Sequence, residues 1–218
     1  MPTQRVLDPR HTESALESDQ SQPSLLPSKV REFGFIPDFD DWLPGDLVLV
    51  SRLRRNLIER QVVKTQARLG HARVDAQWHH AAVYVGDRYL CEARPGGVRY
   101  RPVVESVDRN TLLRIRRNID LTDSERFRVA IRTLMRLSQA YSYASVVGAF
   151  FRPLSPKRFV LSLSAHKRAL ICSQLFHDAY AEVTASILVD RLDRAVVPAE
   201  LSATTRLDDV EVHWKHLG

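Results

Sequence analysis

A cysteine, a histidine and a glutamate, far apart along the 218 residues, have the types and placement that covalent chemistry needs. His80 directly precedes an apolar segment typical of a β-strand, and Glu92 lies on the next such segment. Cys172 lies much farther along, near the start of a predicted helix. A cysteine attacks as the thiolate, so it needs a base, a nearby cation or a helix N-terminus, and the base needs an acceptor that orients it. The three residues offer one side chain for each role.

The connection between the two predicted strands decides whether His80 and Glu92 can meet. The sequence Gly86-Asp87-Arg88 predicts a hairpin turn between Ala81–Val85 and Tyr89–Ala93. A three-residue connection centred on Gly86, with a bulge, would pair His80 with Glu92 on one face of the sheet. A two-residue turn would instead pair His80 with position 93 and send Glu92 to the opposite face. We therefore expect the longer turn, with Cys91 facing away from the site into the core.

Each of these residues also has a structural interpretation. Cys172, flanked by leucine and isoleucine, is typical of a small buried hydrophobic residue. His79 precedes His80, so the sequence leaves open which imidazole would act. A metal site built from His79, His80, Cys91 and Cys172 lacks the spacing of known zinc motifs, so we expect no metal and no cofactor. The sequence contains no glycine-rich phosphate loop.

The composition fits one domain of ordinary size, with 44% apolar residues and a net charge of +6. We expect a disordered or weakly docked tail over residues 1–32, which are rich in serine, glutamine and proline, and a folded domain over residues 33–218. No signal peptide or transmembrane segment is apparent, so the sequence favours the cytoplasm, with export by a specialised secretion route as the alternative.

The elements that must position the three residues are strands followed by helices. Several short strands in the first half predict an antiparallel sheet, and the second half has helical periodicity, so the fold class is α+β. The predicted elements are a strand over Leu47–Val50, a basic helix from Leu53 to about Leu69, the hairpin, strands over Val98–Val104 and Thr111–Ile115, a helix capped by Thr122 and Glu125, a helix containing Cys172, and a short strand over Val210–Val212.

The order of these segments resembles a known superfamily. The segments are Pro44-Gly45-Asp46 with its strand, Trp78-His79-His80-Ala81-Ala82-Val83-Tyr84-Val85-Gly86-Asp87, Glu92-Ala93, Tyr141-Ser142-Tyr143, Cys172-Ser173-Gln174-Leu175 and Val197-Pro198-Ala199-Glu200-Leu201. Together, over residues 43 to 215, they resemble the circularly permuted, papain-like NlpC superfamily: the YiiX/YaeF-like hydrolases and relatives of lecithin retinol acyltransferase. In that group a polar residue follows the histidine by twelve positions, which is Glu92 here.

The resemblance implies a papain-like fold in which the sheet precedes the cysteine helix. It implies that Cys172 is the nucleophile, that His80 is the general base and then the general acid, and that Glu92 orients the imidazole. Trp78, Tyr84 and Tyr143 would contact the substrate. The activity would be that of a thiol hydrolase, peptidase, amidase or acyltransferase, acting on an amide or ester through a thioester.

The expected partners are a peptide, a lipid or an acylated small molecule. A binding module of the same fold, for anionic lipid or nucleic acid, is the alternative function, although no aromatic and basic recognition motif indicates nucleic acid. The basic helix could lie on an anionic surface, but a solvated helix face is the commoner interpretation. We interpret the arginines of the predicted sheet as a solvated strand face rather than as an anion site. There are six: Arg94, Arg99, Arg101, Arg114, Arg116 and Arg117. The apolar stretch from Val146 to Phe151 is more typical of a hydrophobic core than of a groove that binds an acyl chain or a lipid.

Overall fold

The computed structural model describes residues 26–94, 97–137, 172–189 and 195–217. The helices are α1 (Ser28–Phe33), α2 (Leu57–Arg68), α3 (Arg73–Ala76), α4 (Asp123–Leu134), α5 (Cys172–Thr184) and α6 (Pro198–Ala203), with a 3-10 helix over Val103–Ser106. The strands are β1 (Phe35–Pro37), β2 (Leu47–Arg52), β3 (His80–Gly86), β4 (Tyr89–Arg94), β5 (Gly97–Pro102), β6 (Thr111–Arg117), β7 (Asp208–Val210) and β8 (Trp214–His216).

An antiparallel sheet of six strands, in the order β5-β4-β3-β2-β6-β7, organises the described residues. Strands β1 and β8 form a separate antiparallel pair. The predicted α+β class with an antiparallel sheet packed against helices is therefore confirmed. Strands β3 and β4, which carry His80 and Glu92, lie inside the sheet between β2 and β5.

The two faces of the sheet bury separate apolar clusters, because successive side chains of a strand point to opposite faces. On one face, α4 and α5 pack Val129, Leu175 and Phe176 against Leu49 and Val83. The residues of the other face pack against α1 and the 3-10 helix, which contribute Val30 and Val103. We call these the helix face and the opposite face of the sheet.

Local signals set the ends of two predicted helices. The helix expected from Leu53 begins at Leu57, because the Asn56 side chain accepts the Glu59 amide and Glu59 accepts the Asn56 amide, which completes a capping box. The capping box expected between Thr122 and Glu125 is present and begins α4. The expected start was too early, because the leucine at position 53 extends the apolar pattern to the N-terminal side of the Asn56 cap.

The domain begins earlier than residue 33. Residues Ser28–Phe33, all but the last of which the expected tail included, form α1, and its Val30 is completely buried in the cluster of the opposite face. Residues 1–25 of the expected tail lie outside the described residues. Within the part of the chain that is described, no helix has the length and apolar character that crossing a bilayer requires.

Candidate active site

A two-residue turn and a β-bulge set the register of the hairpin. Gly86 pairs with Tyr89 across Asp87 and Arg88, which both have positive φ, as a type I′ turn requires. A bulge between Tyr84 and Gly86 then shifts the register, so that Val83 pairs with Cys91. The longer turn expected from the sequence is therefore wrong. The bulge nevertheless places positions 80 and 92 on the same face, as diagonal rather than direct neighbours.

The His80 ring contacts the Glu92 carboxylate directly. His80 Nε2 lies 2.6 Å from Glu92 Oε2, and Glu92 is fully buried. Burial would raise the pKa of Glu92, but the charge and hydrogen bond of His80 and the guanidinium groups of Arg101 and Arg94 outweigh it and hold that pKa far below its ordinary value. Glu92 is therefore a carboxylate throughout the physiological pH range.

Two arginines bind the carboxylate on its other side, although their sequence pattern predicts a solvated strand face. Arg94 Nε donates to Glu92 Oε1 at 2.6 Å, and Arg101 donates to both carboxylate oxygens and to Ser106 Oγ. Arg101 lies on β5, directly opposite Leu90 of β4. A sequence signal for this contact would have required the register of β4 and β5, which the sequence pattern does not specify.

Cys172 is the first described residue of α5 and is only 7% exposed. Its sulfur is hydrogen-bonded to the His80 ring and to the backbone of Ala81 and Ser173. Burial would raise the pKa of the thiol, but the His80 charge and these hydrogen bonds outweigh it, so the pKa lies below its ordinary value. The thiolate is thus stabilised by a cation and by backbone N–H groups.

The imidazole responds to the same partners. Burial would lower the pKa of His80, but the charges of Cys172 and Glu92, with their hydrogen bonds, raise it to about 9. Since Nε2 is bonded to Glu92, Nδ1 is the ring nitrogen left for the sulfur. At neutral pH the imidazolium form of His80 is therefore favoured, between a thiol whose pKa is lowered and the Glu92 carboxylate.

The sulfur and the carboxylate come from opposite sides of the sheet. Cys172 belongs to the cluster on the helix face, together with Ala81 and Cys91. Along their strands, His80 and Glu92 alternate with Ala81 and Cys91. They therefore lie on the same face of the sheet as Leu90, which is the opposite face. His80 is the first residue of β3, so its ring can reach around the end of the strand and contact both groups.

Buried hydrogen bonds hold in place the segment that leads into β3 and His80. The Gln66 side chain of α2 donates to the carbonyl groups of Ala76 and Trp78 and accepts the amide of Ala199 on α6. Gln66 is completely buried, so the loss of any of these bonds would leave a polar group without a partner. The start of α5 is fixed in a similar way, because Ser173 Oγ donates to the Val196 carbonyl.

His79 differs from His80 although the two are adjacent. Its Nε2 lies 3.8 Å from Glu59 Oε1. Burial, followed by the positive charge of His80 and of Arg55, lowers the pKa of His79 to about 3. His79 is therefore neutral at physiological pH, and its environment distinguishes it from the imidazole that contacts Cys172.

The residues expected to contact substrate lie in three different situations. Trp78 is buried in the same cluster as Cys172, next to the site. Tyr84 lies four residues along β3 from His80, about 13 Å away, where its ring packs edge-on against Trp42 and its hydroxyl accepts the Arg88 amide. Tyr84 is thus placed as a core residue of the opposite face and does not border the site. Tyr143 lies outside the described residues, as does the Val146 to Phe151 stretch.

Three of the four remaining predicted arginines, Arg114, Arg116 and Arg117, form structural ion pairs, whereas Arg99 is exposed. Arg117 binds both oxygens of the buried Asp46, and Arg114 binds both oxygens of Asp209. Arg116 is buried and donates to carbonyl groups after α6, including that of Thr204 at 2.8 Å. The solvated face expected for these side chains is wrong, because β7 and the segment before β2 cover the sheet there.

The comparisons with known proteins support the fold and do not identify an activity. No family profile matches the chain, and no curated protein matches it. The crystal structure of the metalloprotein yiiX from Escherichia coli O157:H7 is similar, with a TM-score of 0.54 and 13% sequence identity. The similarity covers 79% of this chain and 98% of that one. The chain has the YiiX-like fold.

The description of yiiX as a metalloprotein raises the question of a metal here. Within the described ranges, no group of three or more His, Cys, Asp or Glu side chains could hold a metal ion. The chemistry of the site explains this result, since His80 Nε2 is bonded to Glu92 and both oxygens of Glu92 accept from arginines. These residues do not fit a metal centre, and no step below uses one.

Proposed function

We propose that this protein is a cysteine hydrolase or acyltransferase that cleaves an amide or ester bond through a thioester on Cys172. The observation that carries the proposal is the position of the His80 ring, between the Cys172 sulfur and the Glu92 carboxylate. A nucleophile, a base and a group that orients the base are the parts of a cysteine acyl-transfer site.

The first half of the reaction forms the thioester. The Cys172 thiolate attacks the carbonyl carbon, and the carbonyl oxygen takes up the electron pair and becomes an oxyanion. The Cys172 backbone N–H would donate to that oxyanion. As the oxyanion collapses, the bond from carbon to the leaving nitrogen or oxygen breaks, and the His80 imidazolium donates its proton to the leaving group.

The second half releases the acyl group. Neutral His80 takes a proton from water or from another acceptor, whose oxygen or nitrogen attacks the thioester carbon. The carbon–sulfur bond then breaks and regenerates the Cys172 thiolate beside the imidazolium. Glu92 stabilises that imidazolium in both halves without accepting its proton. Whether water or another acceptor attacks decides between hydrolysis and acyl transfer.

The chain order supports a wider assignment to the permuted, papain-like NlpC group, because His80 and Glu92 precede the cysteine helix. This order is also that of the relatives of lecithin retinol acyltransferase. The substrates proposed on this basis are a peptide, an acylated lipid or another acylated small molecule. Trp78, at the edge of the site, and Tyr143 are proposed to contact the substrate.

Trapping of the acyl group tests the proposal. The protein is incubated with aryl esters of short and long acyl chains and with cell extract, and its intact mass and peptide masses are measured. We expect an acyl adduct on Cys172, and with iodoacetamide we expect alkylation of Cys172 below pH 7, well before Cys91. Slow and equal labelling of both thiols, without any adduct, would contradict the proposal and favour a binding module.

A further inference from the structure

The exposed side of α2 and its flanking residues concentrates the positive charge of the protein. Residues 53–74 contain six basic residues and one acidic residue, a formal charge of +5 against +6 for the whole chain. Five of the basic side chains are exposed: Arg54, Arg60, Lys64, Arg68 and Arg73. We call this exposed side the α2 surface.

The single acidic residue of the segment is turned away from this surface. Glu59 is partly buried, accepts the Asn56 amide in the capping box and lies within 4 Å of His79 and Arg52. The buried side of α2 contains Val62 and Gln66, which pack into the protein. The basic side chains of α2 itself, Arg60, Lys64 and Arg68, therefore face solvent without an exposed acidic neighbour from their own helix.

Large apolar side chains are exposed at both ends of the same surface. Leu57 is 82% exposed, and Ile58 lies beside it. The residues with this property are Leu53, Leu57 and Ile58 near the start of α2 and Leu69 and Val74 beyond its end. A solvated helix face does not require such residues, and several of them together mark an interaction site.

From these observations we infer that the α2 surface docks the protein on an anionic lipid bilayer. Arginine and lysine would contact the lipid phosphates, and the leucines at either end would enter the boundary between headgroups and acyl chains. A nucleic acid is a poorer match, because residues 53–74 contain no Phe, Tyr or Trp for base stacking, and exposed leucine gains nothing from phosphates.

This docking would hold the candidate site at a fixed position relative to the bilayer. Gln66 ties α2 to Trp78, two residues before His80, and Ser51 ties the approach to α2 to the Gln77 carbonyl. The α2 surface and the thiol site are therefore joined by buried and part-buried hydrogen bonds. The inference does not depend on the proposed chemistry, and a Cys172→Ala variant should bind lipid as the wild type does.

Vesicle sedimentation of the full chain tests the inference. Vesicles of phosphatidylcholine with phosphatidylglycerol are compared with vesicles of phosphatidylcholine alone, at low and high salt. We expect binding to the anionic vesicles only, weakened by salt. The triple variant Arg60→Gln, Lys64→Gln, Arg68→Gln should lose roughly a hundredfold in partitioning. Glutamine preserves helix propensity, so circular dichroism should show an unchanged fold.

A matched variant separates this surface from net charge. Arg109→Gln, Arg128→Gln, Arg206→Gln removes the same charge from exposed positions on other elements and should bind nearly as the wild type does. Leu53→Ser, Leu57→Ser should weaken binding severalfold and leave the salt dependence unchanged. Equal losses in the two triple variants would overturn the inference. Binding of a short DNA duplex through Arg60, Lys64 and Arg68, without vesicle binding, would overturn it in favour of nucleic acid.

Discussion

The two cysteines lie in the same buried cluster on the helix face of the sheet but in opposite chemical environments. Cys91 lies in the middle of β4 and is completely buried; its sulfur contacts the Thr133 carbonyl at 3.7 Å. Burial, with the nearby Glu92 charge, raises the pKa of Cys91 to about 12. Cys172 is also buried, yet its pKa lies below the ordinary value because His80 and two backbone groups stabilise the thiolate.

The difference shows that burial alone does not decide whether a thiol is reactive. Both sulfurs lose hydration, which disfavours the charged form. Only Cys172 lies at an end of the sheet, where a helix begins beside the first residue of a strand and both supply hydrogen-bond donors. The interior of β4 uses its backbone groups for pairing with β3 and β5, and none remain to stabilise a thiolate there.

Removal of each sulfur should give the largest contrast. Cys172→Ala should abolish acyl-adduct formation and reduce turnover by roughly a thousandfold or more, because no nucleophile remains. Cys91→Ala should retain the chemistry and cost about 1 kcal/mol of unfolding free energy, as the loss of a small buried group does. Intact mass, turnover and urea denaturation of the two variants measure this contrast. Wild-type turnover in Cys172→Ala would remove the distinction between the two thiols.

The adjacent histidines provide the next test. His80→Ala should lose at least about a hundredfold in turnover and bring the Cys172 pKa up towards that of an ordinary buried thiol, since base and cation disappear together. His79→Ala should change stability more than turnover, because neutral His79 lies beside Glu59 and is not among the groups that lower the pKa of Cys172. The rate of iodoacetamide labelling against pH measures both effects. A silent His80→Ala and an impaired His79→Ala would show that the other imidazole acts.

Replacement of Glu92 should keep the nucleophile and weaken its partner. Glu92→Gln is expected to lower turnover on the order of a hundredfold or more, because the imidazolium loses its carboxylate. The pKa of His80 is raised to about 9 partly by Glu92. The variant should therefore lose the protonated imidazole at a lower pH, and the alkaline limb of the pH–rate profile should move down. An unchanged alkaline limb would exclude Glu92 from the mechanism.

The sequence predicted the α+β class and most strands, because alternation, turn residues and capping boxes are local signals. It also predicted that His80 and Glu92 share a face, but through a turn that does not occur. The expected bulge belonged to a three-residue connection, whereas the observed bulge lies between Tyr84 and Gly86 and adds one residue to β3 before a two-residue turn. The prediction was correct about the face that the two side chains share and wrong about which residues of β3 and β4 pair with each other.

Long-range polar contacts were the least predictable part of the site. The contact of Arg101 with Glu92 depends on the pairing of β4 with β5, and that of Arg117 with Asp46 joins residues 71 positions apart. Strand periodicity assigns such arginines to a polar face without identifying a partner. For Tyr84, periodicity predicted the correct strand, but the aromatic ring of Trp42, which occupies its surroundings, comes from a segment outside the sheet.

The arginines behind Glu92 give the smallest and most discriminating effect. Arg101→Met removes a positive charge that shares the carboxylate with His80, so the pKa of His80 should rise and the alkaline limb should move up, opposite to Glu92→Gln. Arg94→Met should cause a smaller movement in the same direction, because its side chain is 43% exposed and water screens its charge. Labelling rates of Cys172 between pH 7 and about 11 measure both shifts. A downward shift in Arg101→Met would mean that Arg101 acts mainly by holding Glu92 in position, and Arg101→Lys should then restore the wild-type profile.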